Sequence, residues 1–354
     1  MKPLIHPALA LAFGLLTVSL AQAGPPPRVY IPTGEGAEVL IIDAATQQTV
    51  GRLGGLPAAH GLAATPDGSR LIVGSFEERA VDAAPPDKPA DVSATDHAAH
   101  HGTGPKAETP AAISTVSIVD TATQAILRRI DVPGAVHHVA VSPDGRTAVV
   151  TQPGADSITA IDLQSYAVLA TVRVGAVPNY AAFAPDGATL YVSAAGDDAI
   201  VTLDAARWQV TGRIATGASP EHLVLAPDGQ RLYVANTGDG TVSVIDPATR
   251  QAVATLAVGP TPHGIDLSED GRTLIVAVTG ADRLIAIDLA DRTRREAALA
   301  PAPYHLRAIP GTGRLYVSSA GVPTVRVIDA ATLGVVAEIP LDGTGHQFAI
   351  AASR

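Results

Sequence analysis

Residues 219–250 read SPEHLVLAPDGQRLYVANTGDGTVSVIDPATR, and most of the remaining chain repeats this stretch with small changes. An apolar run at 223–226 ends in the turn signal PDG at 227–229. Two further runs that are rich in β-forming residues follow at 231–235 and 241–245, before the chain turns again at Asp-Pro. We interpret one copy as a unit of four short strands.

The copies recur at a nearly constant interval. A marker residue at the start of each first strand falls at His60, His137, Asn179, Glu221, His263, His305 and His346. From the second marker onward, the intervals are 42, 42, 42, 42 and 41 residues, whereas the first interval is 77. This long interval indicates one period plus an insert. A period near 42 with four strands per copy predicts an all-β protein, a seven-bladed β-propeller with four-stranded antiparallel blades.

The two ends of the chain complement each other. Residues 28–32 match the second strand of the unit, and residues 346–351 match the first strand. The ring is therefore predicted to close in one blade that the N- and C-terminal strands share. The chain has no cysteine, so this closure has to be non-covalent.

The N-terminal segment is typical of a secretory signal. Residues 1–23 combine Lys2, an apolar run at 8–20 and the small-residue site AQA before Gly24. The run is shorter than the ~20 residues of a spanning helix. We predict export to the periplasm, removal of residues 1–23, and a single propeller domain at 24–354 with no membrane span.

Composition excludes several classes of function. The net charge of −10 and the single tryptophan provide neither a phosphate-neutralising surface nor stacking platforms, so nucleic acid is not an expected partner. The only methionine is Met1, which leaves with the signal. The mature chain therefore has no sulfur ligand, which excludes thiolate catalysis, iron–sulfur clusters and soft Cu(I) sites.

The insert, residues 77–112, lies between the second and third strands of the second copy. It is rich in Pro, Ala, Asp and Gly, lacks an apolar period, and contains His97, His100 and His101. This composition predicts a flexible loop. Its histidines are candidate metal ligands that would capture an ion and pass it inward, or cap an ion already bound at the axis. The alternative is a polar loop without a role.

The marker residues are the main candidate site. Strand order places them around the central axis at one mouth, below the insert, with His138 and His222 one position further on. Converging imidazoles favour Zn²⁺ or Cu²⁺. We predict about one ion, held by some of the candidates and with Glu221 or His222 as a further ligand. The alternative is that the marker residues only form hydrogen bonds to neighbouring loops. The axial candidates are His60, His137, His263, His305, His346, Glu221 and His222.

Three copies carry related motifs after the turn: YVAN at 233–236, YVSA at 191–194 and YVSS at 316–319. The chain thereby resembles the YVTN family of seven-bladed propellers over all of the mature sequence except the insert. The axial histidines are similar to the copper-binding hub of nitrous oxide reductases, although Asn179 and Glu221 depart from that pattern. Export, axial ligands and a His-containing loop also resemble periplasmic propeller chaperones that pass zinc to an importer's binding protein.

These resemblances imply a non-catalytic, periplasmic metal-binding or metal-delivery protein. Two alternatives stay open. One is a periplasmic enzyme, either lactonase-like or a haem or copper redox protein, in which Glu221, His222 and Arg307 would act on a substrate. No Gly-x-Ser-x-Gly or His-Glu-x-x-His motif is present to support it. The other alternative is an interaction scaffold without a metal.

Overall fold

A computed structural model describes residues 27–34, 36–80 and 112–351, which form seven antiparallel sheets arranged as the blades of a propeller. Blade 1 contains β1 (Arg28–Pro32), β2 (Val39–Asp43), β3 (Gln48–Leu53) and β29 (Ala349–Ala351). Blade 2 contains β4 (Ala59–Ala64), β5 (Arg70–Ser75), β6 (Arg79–Ala80), β7 (Ala112–Asp120) and β8 (Ile126–Pro133). Blade 3 contains β9 (Val139–Val141), β10 (Thr147–Gln152), β11 (Ser157–Asp162) and β12 (Val168–Arg173).

The remaining four blades each contain four consecutive strands. Blade 4 contains β13 (Pro178–Phe183), β14 (Thr189–Ala194), β15 (Ala199–Asp204) and β16 (Gln209–Ala215). Blade 5 contains β17 (Pro220–Leu225), β18 (Leu232–Asn236), β19 (Thr241–Asp246) and β20 (Gln251–Ala257). Blade 6 contains β21 (Pro262–Leu267), β22 (Thr273–Val278), β23 (Arg283–Asp288) and β24 (Arg294–Ala298). Blade 7 contains β25 (Pro303–Ile309), β26 (Arg314–Ser319), β27 (Thr324–Asp329) and β28 (Val335–Pro340).

The hydrophobic core lies between the blades. Seven clusters of buried apolar residues each join two adjacent blades, so every blade is packed on both faces. Tyr316 of blade 7, for example, packs in one cluster with Val29 and Leu40 of blade 1. The predicted seven-bladed, four-stranded propeller is confirmed. No helix in the described part of the chain is long and apolar enough to cross a membrane.

Blade 1 closes the ring, as the sequence predicts. β29 is its innermost strand and pairs with β1, with Ala351 opposite Arg28 and Ala349 opposite Tyr30. The paired segment, Ala349–Ala351, is shorter than the predicted 346–351. Gln347 accepts hydrogen bonds from the backbone N–H groups of Leu62 (3.0 Å) and Val139 (3.2 Å), which belong to blades 2 and 3. The C-terminal segment therefore ties three blades together.

A β-bulge interrupts the innermost strand where the marker residues lie. In β17, Pro220 pairs with Asn236. Leu223 pairs with Val234, so two residues of β17 stand opposite one residue of β18. The same register shift occurs in β4, β13, β21 and β25. A bulge re-aims its side chains, so each blade presents two consecutive residues to the axis.

In each blade, we assign the first of these two residues to a first ring around the axis and the next residue to a second ring. In blades 3 and 1, the strand pairing of β9 and β29 identifies the equivalent residues. From blade 2 to blade 7 and then blade 1, the first ring contains His60, His137, Asn179, Glu221, His263, Tyr304 and His346. In the same order, the second ring contains Gly61, His138, Tyr180, His222, Gly264, His305 and Gln347.

The marker predicted for blade 7 is wrong by one residue. Pro303 pairs with Ser319 and Leu306 with Val317, so Tyr304 takes the first-ring position and His305 the second. The backbone N–H of His305 accordingly donates to a Ser318 hydroxyl (3.2 Å), as that of Tyr180 does to a serine hydroxyl in blade 4. The cause lies in blade 6, where β23 pairs with β24 without the bulge that the third and fourth strands have in the other six blades. Blade 6 is therefore one residue shorter.

The predicted loop at 77–112 also needs a correction at its ends. Arg79 and Ala80 form β6 and pair with Ile113 and Ala112 of β7, which extends the sheet of blade 2. Arg79 also forms an ion pair with Asp131 (2.5 Å), which lies in β8. Both ends of the segment therefore belong to the blade, and residues 81–111 lie outside the described residues.

Candidate metal centre in the axial channel

The two rings place buried imidazoles from six blades in the axial channel. Exposure of these histidines ranges from 3% to 5%. They belong to all blades except blade 4, which contributes Asn179 and Tyr180 instead. The described histidines of the channel are His60, His137, His138, His222, His263, His305 and His346.

Three of these histidines form a group with ligand spacing. One nitrogen of each of His222, His263 and His305 lies within 4.8 Å of the other two, and among the described residues no other group of this kind is found. The ring centroids are 4.5 Å apart for His222–His263 and for His222–His305, and 5.1 Å apart for His263–His305. We call this group the histidine triad. It joins blades 5, 6 and 7.

The triad combines both rings because of one glycine. His222 and His305 belong to the second ring of blades 5 and 7, and the blade between them has Gly264 at that position. No second-ring side chain therefore separates these two imidazoles, and His263 of the first ring completes the group. Nitrogens bound at 2.0–2.1 Å to a tetrahedral zinc lie roughly 3.4 Å apart. Small rotations of the three rings would reach that spacing.

His305 has the environment of a metal ligand. It is 4% exposed, and neither Nδ1 nor Nε2 forms a hydrogen bond with the described residues. A buried polar group without a partner costs about 1–3 kcal/mol. Burial lowers the pKa of His305 well below its ordinary value of 6.5, and the nearby His222 and His263 lower it further. The imidazole is therefore neutral and keeps a lone pair for a metal ion.

His60, His137 and His346 form a second group beside the triad, and the rings of His346 and His305 are 5.7 Å apart. The rings of His60 and His346 stack at 3.8 Å, and those of His60 and His137 are 5.0 Å apart. Nδ1 of His60 lies 2.9 Å from the carbonyl oxygen of His137, and Nδ1 of His137 lies 2.9 Å from that of Asn179. These contacts require a proton on Nδ1. The structure thus brings three of the seven axial candidates into the triad and places these three in a separate group.

Glu221 and Tyr304 lie next to the triad in the first ring. Glu221 is 5% exposed and is not part of the group with ligand spacing. Burial raises the pKa of Tyr304, and the carboxylate of Glu221 adds to that rise. The ring of Tyr304 stacks on His263 at 3.9 Å. Sequence reasoning missed Tyr304, although the single 41-residue interval among the markers was a signal that one register had shifted.

His138 is engaged in a different way. Its Nε2 lies 2.6 Å from Nε2 of Gln347, and its Nδ1 lies 3.3 Å from the backbone N–H of Ala181. Its ring stacks on Tyr180 at 3.5 Å. Both ring nitrogens therefore already contact polar groups of the protein. His97, His100 and His101 lie outside the described residues, so their role in capturing metal stays a prediction.

Replacing Gly264 with alanine is expected to destabilise the protein at the triad. A Cβ at this position would lie 2.3 Å from the carbonyl oxygen of Tyr304 and 2.7 Å from the backbone nitrogen of Leu306. The inner strands of blades 6 and 7 would have to separate, which we expect to lower the free energy of unfolding by about 1–3 kcal/mol. Urea unfolding measures this change. Gly54→Ala is the control, since nothing lies within 4 Å of its added Cβ. Equal urea midpoints for the two variants would contradict this prediction, because they would mean that the two inner strands accommodate the added Cβ without loss of stability.

The channel should make the metal-free protein sensitive to acid. Burial, followed by the nearby His222, His137 and Arg307, lowers the pKa of His138 well below 6.5. The folded protein then binds fewer protons than the unfolded chain, so this contribution is complete above about pH 6.5 and is lost as the pH falls toward the folded pKa. We expect stability to decline between pH 7 and 5, by up to about 1.4 kcal/mol per pH unit for this group. His138→Gln should flatten the decline in urea titrations with EDTA. An unchanged slope would contradict this origin.

These features define a class: a seven-bladed β-propeller with a histidine-lined axial channel. The family model described as YNCE-like beta-propeller matches residues 98–196 and 187–257. The resemblance to repeat propellers that the sequence indicates is thereby confirmed. A search of the curated proteins finds no match to the chain.

Solved structures support the same fold. Hydrazine synthase of Kuenenia stuttgartiensis aligns with a TM-score of 0.65 and 20% identity, over 81% of this chain and 88% of that chain. The periplasmic gluconolactonase PpgL of Pseudomonas aeruginosa aligns with a TM-score of 0.68 and 18% identity, over 93% and 99%. Dihydro-heme d1 dehydrogenase NirN aligns with a TM-score of 0.63 and 15% identity, over 90% and 64%. Identities this low establish similarity of fold alone.

Proposed function

We propose that the protein is an exported, non-catalytic metal-binding protein that holds one Zn²⁺ or Cu²⁺ at the histidine triad and passes it to a partner. The observation that carries this proposal is His305, a buried imidazole without a hydrogen bond to the described residues, whose nearest ionisable neighbours include two further imidazoles. Three imidazoles this close together can share one cation through their nitrogen lone pairs.

The choice of metal follows from the ligand atoms. Neutral imidazole nitrogen suits Zn²⁺ and Cu²⁺, whereas Cu(I) prefers thiolate or thioether sulfur. The chain has no cysteine, and its single methionine is Met1. Three protein ligands leave one position of a tetrahedral ion for an exchanging ligand. An incoming ligand from another protein could begin transfer at that position.

Export and delivery complete the proposal. Residues 1–23 have the pattern of a secretory signal, which would place the propeller in the periplasm. A periplasmic metal-binding or importer protein is the partner that this location favours. Protons and the ion would compete for the imidazoles of the triad, and the lowered pKa of His305 favours the ion at this ligand.

A second candidate is a metal-dependent hydrolase, and Glu221 is the observation that favours it. In zinc hydrolases three protein ligands hold the metal, which supplies Lewis-acid chemistry, and a nearby carboxylate moves a proton. Glu221 is buried and directly precedes His222 of the triad. The similarity of fold to the gluconolactonase PpgL makes lactones the first substrates to test.

Metal analysis of untagged protein tests the proposal. Protein stripped with EDTA and equilibrated with Zn²⁺ or Cu²⁺ should retain about one ion per chain after gel filtration, as measured by inductively coupled plasma mass spectrometry. Retention of no ion would refute the metal site. The zinc-loaded protein should hydrolyse gluconolactone no faster than the stripped protein does, and a zinc-dependent rate would establish the hydrolase instead.

A further inference from the structure

A cavity of about 370 Å³ follows the second ring along the axis, on the side away from the first ring. Inner strands of six blades line it, from the second-ring residue His138 to Leu225 and Ile350 near the ends of their strands. Small-molecule sites in proteins typically measure about 300–1,000 Å³. The cavity is therefore large enough for a small organic molecule, and it does not include the histidine triad.

The side chains that line this cavity are mostly apolar, and one of them carries a charge. Among the described residues that line it, only four have polar side chains: His138, Tyr180, Arg307 and Gln347. The position that Arg307 takes in blade 7 is occupied by alanine, valine or aspartate in the other blades, since Arg307 is the third residue after the first-ring residue. At this position around the axis, a single guanidinium thus stands among small apolar residues and one aspartate.

Two of the four polar side chains are already used. The side-chain oxygen of Gln347 accepts from the backbone N–H groups of Leu62 and Val139, and its nitrogen donates to the Val139 carbonyl (3.0 Å). His138 contacts Gln347 and Ala181 through its two ring nitrogens. Neither side chain has capacity left to recognise a ligand. The groups that can do so are the guanidinium of Arg307 and the hydroxyl of Tyr180.

Arg307 keeps most of its binding capacity. Its contact with Asp266 is loose, with 3.8 Å between Nε and Oδ2, and its side chain is 46% exposed. The Asp266 carboxylate already accepts the backbone N–H groups of Leu267 and Ala308, each at 2.9 Å. The guanidinium forms no hydrogen bond to the described residues. Tyr180 lies within its electrostatic reach: burial raises the pKa of Tyr180 to about 12, and Arg307 opposes this rise.

We infer that this cavity binds a small organic monocarboxylate, with the carboxylate on Arg307 and Tyr180 and the apolar part against Phe183, Leu225 and Ile350. The guanidinium fork matches a carboxylate in shape and charge. Asp266 offsets part of the positive charge, which favours a monoanion over a dianion such as phosphate. These apolar side chains favour a carbon chain over an inorganic ion. The site is independent of the metal proposal, because no triad residue lines it.

Calorimetric titration of EDTA-stripped protein tests this inference with three probes: hexanoate, hexan-1-ol and inorganic phosphate. Hexanoate is expected to bind with a stoichiometry of one and at least tenfold more tightly than either other probe. Arg307→Gln should weaken hexanoate binding more than tenfold and leave binding of hexan-1-ol unchanged. Phe183→Ala should weaken both chain-bearing probes. Arg207→Gln, which changes an exposed arginine at the outer edge of blade 4, is the matched control and should bind like the parent.

Three outcomes would overturn the inference. Equal affinities for hexanoate and hexan-1-ol would mean that the cavity does not recognise charge. Tighter binding of phosphate would mean that it takes an inorganic anion. Parent-like hexanoate binding by Arg307→Gln, in a variant that melts like the parent, would place the carboxylate elsewhere. These titrations contain no metal, so their results do not depend on whether the triad binds an ion.

Discussion

Replacing His305 with alanine is expected to weaken Zn²⁺ binding by roughly a hundredfold. Structural zinc sites with four ligands have binding free energies of about 10–16 kcal/mol, or about 3 kcal/mol per ligand, which is approximately a hundredfold in Kd. Because both nitrogens of His305 lack hydrogen bonds to the described residues, its removal should leave the propeller folded. Competition with a chromophoric chelator measures the affinity, and circular dichroism checks the fold.

The control for this prediction comes from the other imidazole group. His60→Ala combined with His346→Ala removes two equally buried histidines that lie outside the triad, and this double variant should retain nearly the parent's affinity. If instead the double variant loses the metal and His305→Ala keeps it, the ion is bound by the His60 group. That result would favour a site built from the marker histidines of the first ring, as the sequence analysis predicts.

Deleting residues 346–354 is expected to abolish cooperative unfolding. The deletion removes β29 and leaves the inner edge of β1 unpaired. It also removes the hydrogen bonds of Gln347 to blades 2 and 3. Loss of the buried Phe348 side chain alone should cost about 3–5 kcal/mol, against a total stability that is typically about 5–15 kcal/mol. Urea unfolding, followed by circular dichroism, should show a broad transition in place of a sharp one.

A shorter deletion separates closure from the loss of a tail. Removing only residues 352–354 keeps all three ladder pairs of β29 and should unfold like the parent. A sharp parent-like transition in the longer deletion would mean that the seven interface clusters hold the ring without β29. In that case the closing strand would affect only the local order of blade 1.

The architecture could be predicted from the sequence because it depends on spacing alone. The 42-residue period, the turn signals and the complementary ends give the number of blades and the closing blade. The convergence of marker residues on the axis also follows from strand order. The grouping of ligands does not, because it depends on single-residue events. The absent bulge in β24 moves His305 into the second ring, and Gly264 removes the side chain that would otherwise divide His222 from His305.

The same limit applies to Gln347 and Arg307. In sequence, each is a polar residue one or two positions after a histidine, and the repeat does not show whether its hydrogen bonds are made within the protein. Gln347 is used by the backbone of two other blades, whereas Arg307 faces a cavity. Only the positions of the surrounding atoms distinguish a side chain that holds the ring together from one that can bind a ligand.

The missing bulge of β24 has a consequence for solubility. A bulge twists an outer strand away from flat pairing geometry, so a strand without one is a better template for a second copy of the chain. Six blades keep the bulge, and their outer strands expose apolar side chains such as Val50, Val210 and Val253. β24 exposes no large apolar side chain and carries Arg294 and Arg295, both exposed. Like charges on two approaching edges repel, so arginine protects the one edge whose shape would otherwise favour aggregation.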